Sequence, residues 1–252
     1  MALEGITADT GATDSLSLKD KEDKSPALAE RFHTEATAWV VLAISSLITV
    51  FSWWFASNYV DGRAKDRFEF EVSQAREAVI KRMQEYEQVL RGGVGLFRGH
   101  EGLSREAWHR YVANLEIDTY WPGIQGIGYS TMIPAAQRDA LVQRIRREGF
   151  PDFTIKPEGV RDTYSSIVYL EPLDWRNKRA LGYDMFSEPT RQAAMIQARD
   201  SGKPAVSGKV TLVQETDKDV QAGFLMYLPH YREGLPLEDE AQRRAALVGF
   251  VY

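Results

Sequence analysis

The sequence predicts an α/β protein of the α+β type, in which a transmembrane helix continues into a long stalk helix and then into short strands with flanking helices. Three observations support this prediction. Residues 36–56 contain no charged side chain, and residues 60–91 carry apolar side chains at helical spacing without a proline. From residue 92 onward, short apolar runs alternate with turns rich in Gly, Pro and Asp, which is typical of a mixed fold.

The first 35 residues are predicted to be a disordered tail. Up to about Glu30 they are rich in Asp, Glu, Lys, Ser, Thr and Gly and contain almost nothing large and apolar, so they cannot bury enough surface to become ordered. This lead is longer and more acidic than the start of a secretory signal peptide. We therefore expect the apolar run that follows to be retained as an anchor.

Residues 36–57 are predicted to form the transmembrane helix. A charge-free run of this length spans about 30 Å as a helix, which matches the hydrocarbon thickness of a bilayer. Trp39 lies near one end of the run and Trp53, Trp54 and Tyr59 lie at the other, where aromatic rings prefer the headgroup level. The alternative is a buried helix of a soluble protein. Basic residues lie on both sides, so charge does not decide the orientation.

Residues 58–91 are predicted to form the stalk helix. Its apolar positions recur at steps of three and four: Phe68, Val72, Ala75, Val79, Met83, Tyr86 and Leu90. This spacing fits a coiled-coil seam, which predicts a homodimer through the stalk. Packing of the stripe against its own domain is the alternative, and both can hold along different parts. Gly92-Gly93 is expected to end or break the helix.

Helices and strands then alternate along the chain. Ser104 is expected to cap a helix, and residues 124–132 are expected to form a strand in which Gly126 and Gly128 indicate close backbone approach. The later elements are predicted as follows: a helix from Pro134 to Gly149, strands over 153–156, 163–170 and 181–185, a helix from Pro189 to Ser201-Gly202, strands over 205–213 and 222–228, a polar loop over 235–239 and a strand over 245–252. Because the sequence stops within a strand, we expect it to be a fragment of a longer protein.

Composition argues against several classes of function. The net charge is −5 at pH 7 and no basic patch with interleaved aromatics is visible, so a nucleic-acid partner is not expected. There is no cysteine, and the four histidines are scattered without metal-ligand spacing, so neither a metal nor a cofactor is predicted. No motif identifies catalytic residues. A membrane-anchored extracytoplasmic enzyme stays open as an alternative function.

Four segments together resemble the CHASE domain: residues 121–129 (WPGIQGIGY), 181–185 (LGYDM), 198–203 (ARDSGK) and 227–231 (YLPHY). This domain is an extracytoplasmic ligand-sensing module of receptor histidine kinases, diguanylate cyclases and adenylyl cyclases. The resemblance runs from about Glu87 to the end of the sequence. Residues 161–164 also resemble a strand entry of plant cytokinin receptors, but the segment before them is shorter than in those receptors, so cytokinin is not implied.

The resemblance implies tandem PAS-like units of antiparallel sheet, with residues 92–215 as the membrane-distal unit and residues 216–252 as the start of a membrane-proximal one. It also implies a cytoplasmic tail and a periplasmic or extracellular sensory domain, held in the bacterial inner (plasma) membrane. In relatives a second transmembrane helix and a cytoplasmic output domain follow, and any kinase or cyclase activity would belong to that domain.

A small-molecule ligand is expected to bind the membrane-distal unit, on the strands between residues 161 and 212. The expected ligand-binding residues are Asp162, Tyr164, Tyr169, Asp184, Met185 and Thr211. The two carboxylates could accept hydrogen bonds from an amine or a ring N–H of the ligand. Two alternatives need no ligand: Asp184 could cap the turn before Pro189, and Asp162 could pair with Arg161.

Overall fold

The computed structural model describes residues 26–100, 102–212 and 222–252, which fall into two compact units divided after Gln74. Residues 1–25 of the expected disordered tail lie outside the described part of the chain. Helix α1 (Pro26–Arg98) includes the remainder of that segment.

The charge-free run forms part of α1 in the first unit. Among the described residues this helix is long and apolar enough to cross a membrane, and none of its most apolar window is buried. The Thr49 hydroxyl donates to the Ser45 carbonyl oxygen at 2.8 Å, so this polar side chain is satisfied within the helix. The first unit therefore contains a helix that could span a membrane.

Gly92 and Gly93 do not end α1, and that prediction was wrong. A Cβ atom on Gly92 would lie 2.5 Å from the Tyr111 hydroxyl, and one on Gly93 would lie 3.0 Å from the Val251 side chain. The two glycines therefore let the helix pack closely against the rest of the second unit. This packing outweighs their low helix propensity.

The apolar stripe of α1 changes its environment along the helix. Phe68, Val72 and Val79 are exposed, Met83 is half-buried, and Leu90 is buried in the core of the second unit. The stripe thus packs against its own domain only at its C-terminal end. Its N-terminal part has an exposed apolar edge.

The second unit also contains five short helices and seven strands among its described residues. The helices are α2 (Arg105–Ala113), α3 (Ile117–Tyr120), α4 (Arg138–Arg147), α5 (Pro189–Ser201) and α6 (Glu240–Ala246). The strands are β1 (Ile127–Pro134), β2 (Thr163–Glu171), β3 (Ala205–Val206), β4 (Val210–Thr211), β5 (Ala222–Gly223), β6 (Met226–Tyr231) and β7 (Leu247–Val251).

Five strands form one antiparallel sheet in the order β2-β1-β7-β6-β3, and β4 pairs with β5 beside it. This mixture of helices and antiparallel sheet confirms the α+β class. The expected boundary between residues 215 and 216 does not separate two sheets. Strands β6 and β7, which follow it, pair with each other, and β7 also pairs with β1, so both belong to the sheet that contains β1 and β2.

Several element predictions are confirmed. Ser104 caps α2 by accepting a hydrogen bond from the Ala107 N–H at 3.1 Å. Helix α5 starts at Pro189 and stops at Gly202, which adopts the left-handed conformation common at helix ends.

Other elements differ from the prediction. The predicted strands over 153–156 and 181–185 form only isolated bridges, Lys156 with Tyr183 and Ser166 with Asp184. Strand β6 continues through Pro229. Strand β3 pairs only with the first two residues of β6, so no hydrogen bond to β3 requires the backbone N–H that Pro229 lacks. The loop over 235–239 leads into α6, which was not predicted.

Candidate ligand-binding site

A cavity of about 310 Å³ lies at the end of the sheet where β1 and β6 begin and β2 and β7 end. Its size is at the lower end of the range of roughly 300–1,000 Å³ that is typical of small-molecule sites. Its wall is mostly apolar and comes from α1, the segment before β1, and the β4–β6 region. The lining residues are Tyr86, Val89, Leu90, Gly123, Ile124, Gln125, Gly126, Ile127, Leu170, Leu212, Gly223, Phe224, Leu225, Met226 and Tyr252.

Tyr252 is one of the residues in this cavity wall. Its backbone exchanges two hydrogen bonds of 2.9 Å with Gly128, which continue the ladder between β7 and β1. A Cβ atom on Gly128 would lie 2.5 Å from the Tyr252 hydroxyl, so only glycine admits the ring here. The hydroxyl is buried and has no hydrogen-bond partner among the described residues. Burial raises the pKa of this phenol well above its ordinary value, so it stays a neutral donor.

A second buried phenol lies behind the first. The Tyr227 ring is fully buried, its centroid is 6.1 Å from that of Tyr252, and its hydroxyl also lacks a partner in the described part of the chain. Burial raises the pKa of Tyr227, while the Arg191 charge acts in the opposite direction on both phenols.

Arg191 is a buried cation of α5 with a side-chain exposure of only 5%. Its Nη2 donates to the Thr211 carbonyl oxygen at 2.7 Å, and its Nη1 lies 3.4 Å from both the Tyr183 hydroxyl and the Glu188 carboxylate. The guanidinium also stacks over the Tyr183 ring at 5.2 Å. Among the described residues, its carboxylate partner is Glu188.

The Asp184 carboxylate contacts other groups of the protein. Its Oδ1 accepts hydrogen bonds from the backbone N–H groups of Ser165 (2.8 Å) and Phe186 (3.1 Å), and its Oδ2 lies 3.4 Å from Arg161 Nη1. Burial raises the pKa of Asp184, and these same partners act against that rise. The carboxyl caps the turn that contains Met185, as the alternative interpretation expected.

Arg161 brings two of the six predicted ligand residues together. Its guanidinium lies 5.6 Å from the centre of the Tyr164 ring and also pairs with Asp184. The Tyr164 hydroxyl donates to the Gly159 carbonyl oxygen at 2.9 Å. Asp162 is exposed.

The remaining predicted residues have different environments. The Tyr169 hydroxyl donates to the Leu103 carbonyl oxygen at 2.7 Å, and Met185 is buried in the core. Thr211 contributes its carbonyl oxygen to Arg191. None of the six lines the cavity described above. The sequence prediction missed Tyr252, Tyr227 and Arg191, although the paired glycines Gly126 and Gly128 indicated that something approaches β1 closely.

An aromatic cluster joins the end of α1 to the sheet. The Phe97 ring stacks on Tyr129 of β1 with a centroid distance of 4.0 Å and also contacts Trp108, Tyr169 and His230. The Tyr129 hydroxyl lies 2.9 Å from His230 Nδ1 in the interior. Burial, assisted by the Arg98 charge, lowers the pKa of His230 to about 4, so the ring is neutral at physiological pH.

Comparison with known proteins gives one family. No curated protein matches the chain. The CHASE domain profile matches residues 101–252, which is more than half of the chain and contains β1 to β7. Because of that match, the chain belongs to the CHASE domain family of extracytoplasmic sensory domains.

Proposed function

We propose that this chain is the ligand-sensing region of a transmembrane signalling receptor. In this proposal residues 36–57 anchor it in the bacterial plasma membrane, the tail is cytoplasmic, and the CHASE domain lies on the periplasmic or extracellular side. A small molecule binds in the cavity at the end of the sheet, and a cytoplasmic output domain carries the response. The five-stranded antiparallel sheet with its flanking helices supports a PAS-like unit.

One observation carries the proposal: the cavity and the potential membrane span share a helix. Tyr86, Val89 and Leu90 line the cavity and belong to α1, which also contains the charge-free run. A ligand in the cavity would therefore contact the helix that leads to the membrane. Phe97 adds a second contact between this helix and the sheet.

The exposed edge of α1 supports a homodimer. Phe68, Val72 and Val79 are large apolar side chains at coiled-coil spacing, and their exposed fractions are 66%, 48% and 60%. Pairing of two stalk helices along this edge would bury it. A ligand that shifts α1 could then change how two copies pair, which is a route for the signal.

Ligand binding can be tested with the full chain in lipid nanodiscs and a panel of small metabolites, with the melting temperature as the readout. We expect at least one compound to raise the melting temperature of the wild type. Leu225→Trp, which fills the cavity, should abolish that rise. Leu235→Trp is the matched control, because Leu235 is an exposed loop leucine outside the cavity. An equal rise in all three proteins would place the ligand elsewhere.

The six ligand residues expected from the sequence remain predictions, and the same assay tests them. Asp162→Ala and Asp184→Ala should lose the ligand-induced rise if those carboxylates bind the ligand. If both variants keep the full rise while Leu225→Trp loses it, the ligand contacts the cavity wall and not the two carboxylates.

A further inference from the structure

A second cavity, here called the arginine cavity, is bounded by α1, the end of α5, β6 and the region of α6. Its volume is about 400 Å³, polar atoms make up more of its wall than apolar ones, and it shares no residue with the cavity at the end of the sheet. The lining residues are Arg91, Val94, Gly95, Arg98, Ser201, Gly202, Leu228, Pro229, Tyr231, Leu237 and Arg243. Three of these residues are arginines, and no aspartate or glutamate is among the described residues of the wall.

Helix α1 contributes two of the three arginines. Arg98 is exposed in the last turn of the helix, and no described residue forms a hydrogen bond or an ion pair with its guanidinium. Arg91 lies seven residues earlier on the same face, about 10 Å away along the helix axis. Its Nε donates to Glu87 Oε1 at 2.7 Å, so its charge is already offset. The charge that α1 leaves without a partner in the described chain is therefore that of Arg98.

Arg243 of α6 is half-buried on another side of the same cavity. Its Nε donates to the Asp200 carbonyl oxygen at 2.7 Å, and its Nη1 donates to two carbonyl oxygens of the loop before α6, at 2.7 and 3.1 Å. The Asp200 carboxylate pairs with Arg199 and Arg244 instead. Carbonyl oxygens fix the position of the Arg243 guanidinium but do not neutralise it. Arg243 thus has no carboxylate partner among the described residues.

We propose that the arginine cavity binds a small oxyanion, a phosphate or carboxylate group, between Arg98 and Arg243. A guanidinium presents its N–H donors in a planar fork that matches two oxygens of such a group. Two guanidiniums in one wall also repel each other, and an anion between them would offset that repulsion. The bound oxyanion would link the last turn of α1 to α6. This site is separate from the cavity at the end of the sheet and does not depend on what binds there.

The full chain in a non-ionic detergent gives the first test, because the detergent supplies no phosphate group. Inorganic phosphate, succinate and chloride are titrated at constant ionic strength, with the melting temperature as the readout. We expect the two oxyanions to raise the melting temperature along a saturable curve, and chloride to leave it unchanged. A saturable rise with only one oxyanion supports the site and identifies the group that it takes. No rise with either oxyanion would overturn the proposal.

Arg98→Gln separates binding from a purely structural role. We expect this variant to raise the phosphate concentration for half the effect about tenfold, because it removes a charged donor. Arg147→Gln is the matched control, since Arg147 is exposed on α4, outside the cavity, and has no described partner. If Arg98 only stabilises the C-terminal end of α1, its loss should lower the melting temperature without phosphate and leave the half-effect concentration unchanged. That result, or equal weakening in both variants, would refute the proposal.

Gly95→Leu tests the location of the site. Gly95 lies in the wall of the arginine cavity, and a Cβ atom there meets nothing within 4 Å, so a leucine can extend into the cavity. Leucine also has a higher helix propensity than glycine, so α1 should persist. We expect Gly95→Leu to abolish the phosphate-induced rise and Leu225→Trp, which fills the other cavity, to keep it. A full rise in Gly95→Leu would mean that the oxyanion binds elsewhere. Because each variant fills one cavity, the two sites can fail separately.

Discussion

At Gly249, the absence of a side chain lets strand β7 lie close to strand β1. A Cβ atom there would lie 2.3 Å from the Ser130 carbonyl oxygen and 2.6 Å from the Tyr129 hydroxyl. Both neighbours are held in place, one by the sheet and the other by its contact with His230. The position therefore has no room for a methyl group.

We predict that Gly249→Ala lowers the free energy of unfolding by about 1–3 kcal/mol, the usual cost of overpacking. Gly95→Ala is the matched control, because a Cβ at this α1 position meets nothing within 4 Å. It should raise stability by about 0.5–1 kcal/mol through helix propensity. Thermal and denaturant unfolding of both variants measure the difference, and equal effects of the two substitutions would contradict the packing argument.

His230 gives the fold a dependence on pH. Its pKa is lowered from 6.5 to about 4 in the folded protein, so between these values the unfolded chain binds more protons than the folded one. The free energy of unfolding should therefore fall as the pH falls from about 6.5 to 4, by up to about 3 kcal/mol. His230→Gln keeps an acceptor for the Tyr129 hydroxyl and should flatten this slope. Denaturant titrations at several pH values test it, and an unchanged slope in the variant would assign the effect to other groups.

Single residues also show which contacts the sequence could and could not predict. The glycines at 126 and 128 predicted a close approach, and the approach of Tyr252 to Gly128 confirms it. Which residue approaches could not be predicted, because the two positions are joined only by the register between β7 and β1. The cavity depends on the same register and was therefore missed.

Secondary structure was predictable where local chemistry decides it. Helix α5 begins at a proline and ends at a glycine with positive φ, and both signals are readable in the sequence. Helix α6 was missed although Asp239 caps it by accepting a hydrogen bond from the Gln242 N–H at 2.8 Å. Its seven residues contain too few apolar positions to show a period.

The exposed edge of α1 leads to a prediction about pairing. If two copies associate through the stalk, single cysteines at Val72 and Val79 should form disulfide crosslinks across the dimer, because seam positions face each other. Cysteines at Glu71 and Lys81 on the same helix are the matched controls and should crosslink much less. Oxidation in native membranes followed by non-reducing electrophoresis gives the yields. Similar yields at all four positions would mean that the stalk does not pair along this edge.

Long-range strand pairing is the part of the fold after residue 215 that the sequence could not predict. Apolar alternation predicted strands near 222–228 and 245–252, but alternation does not state which strand is the partner. The structure places β7 between β1 and β6, so the end of the described chain occupies the middle of the sheet. A central strand contributes ladder hydrogen bonds on both sides, which makes residues 247–251 essential to this fold.

Membrane anchoring is a property of the whole chain and can be tested directly. Leu47 lies within the charge-free run and is 69% exposed on α1. An aspartate at the centre of a membrane span costs about 2.5–3.5 kcal/mol on insertion scales, so Leu47→Asp should move a large part of the protein out of the membrane fraction. Leu235→Asp, with the same change in a loop of the second unit, should leave the fractionation unchanged.

Alkaline extraction of membranes measures both variants, and the wild type should stay in the pellet at its full length. Recovery of the wild type as a soluble, N-terminally trimmed product would show instead that residues 36–57 act as a cleaved signal and not as an anchor.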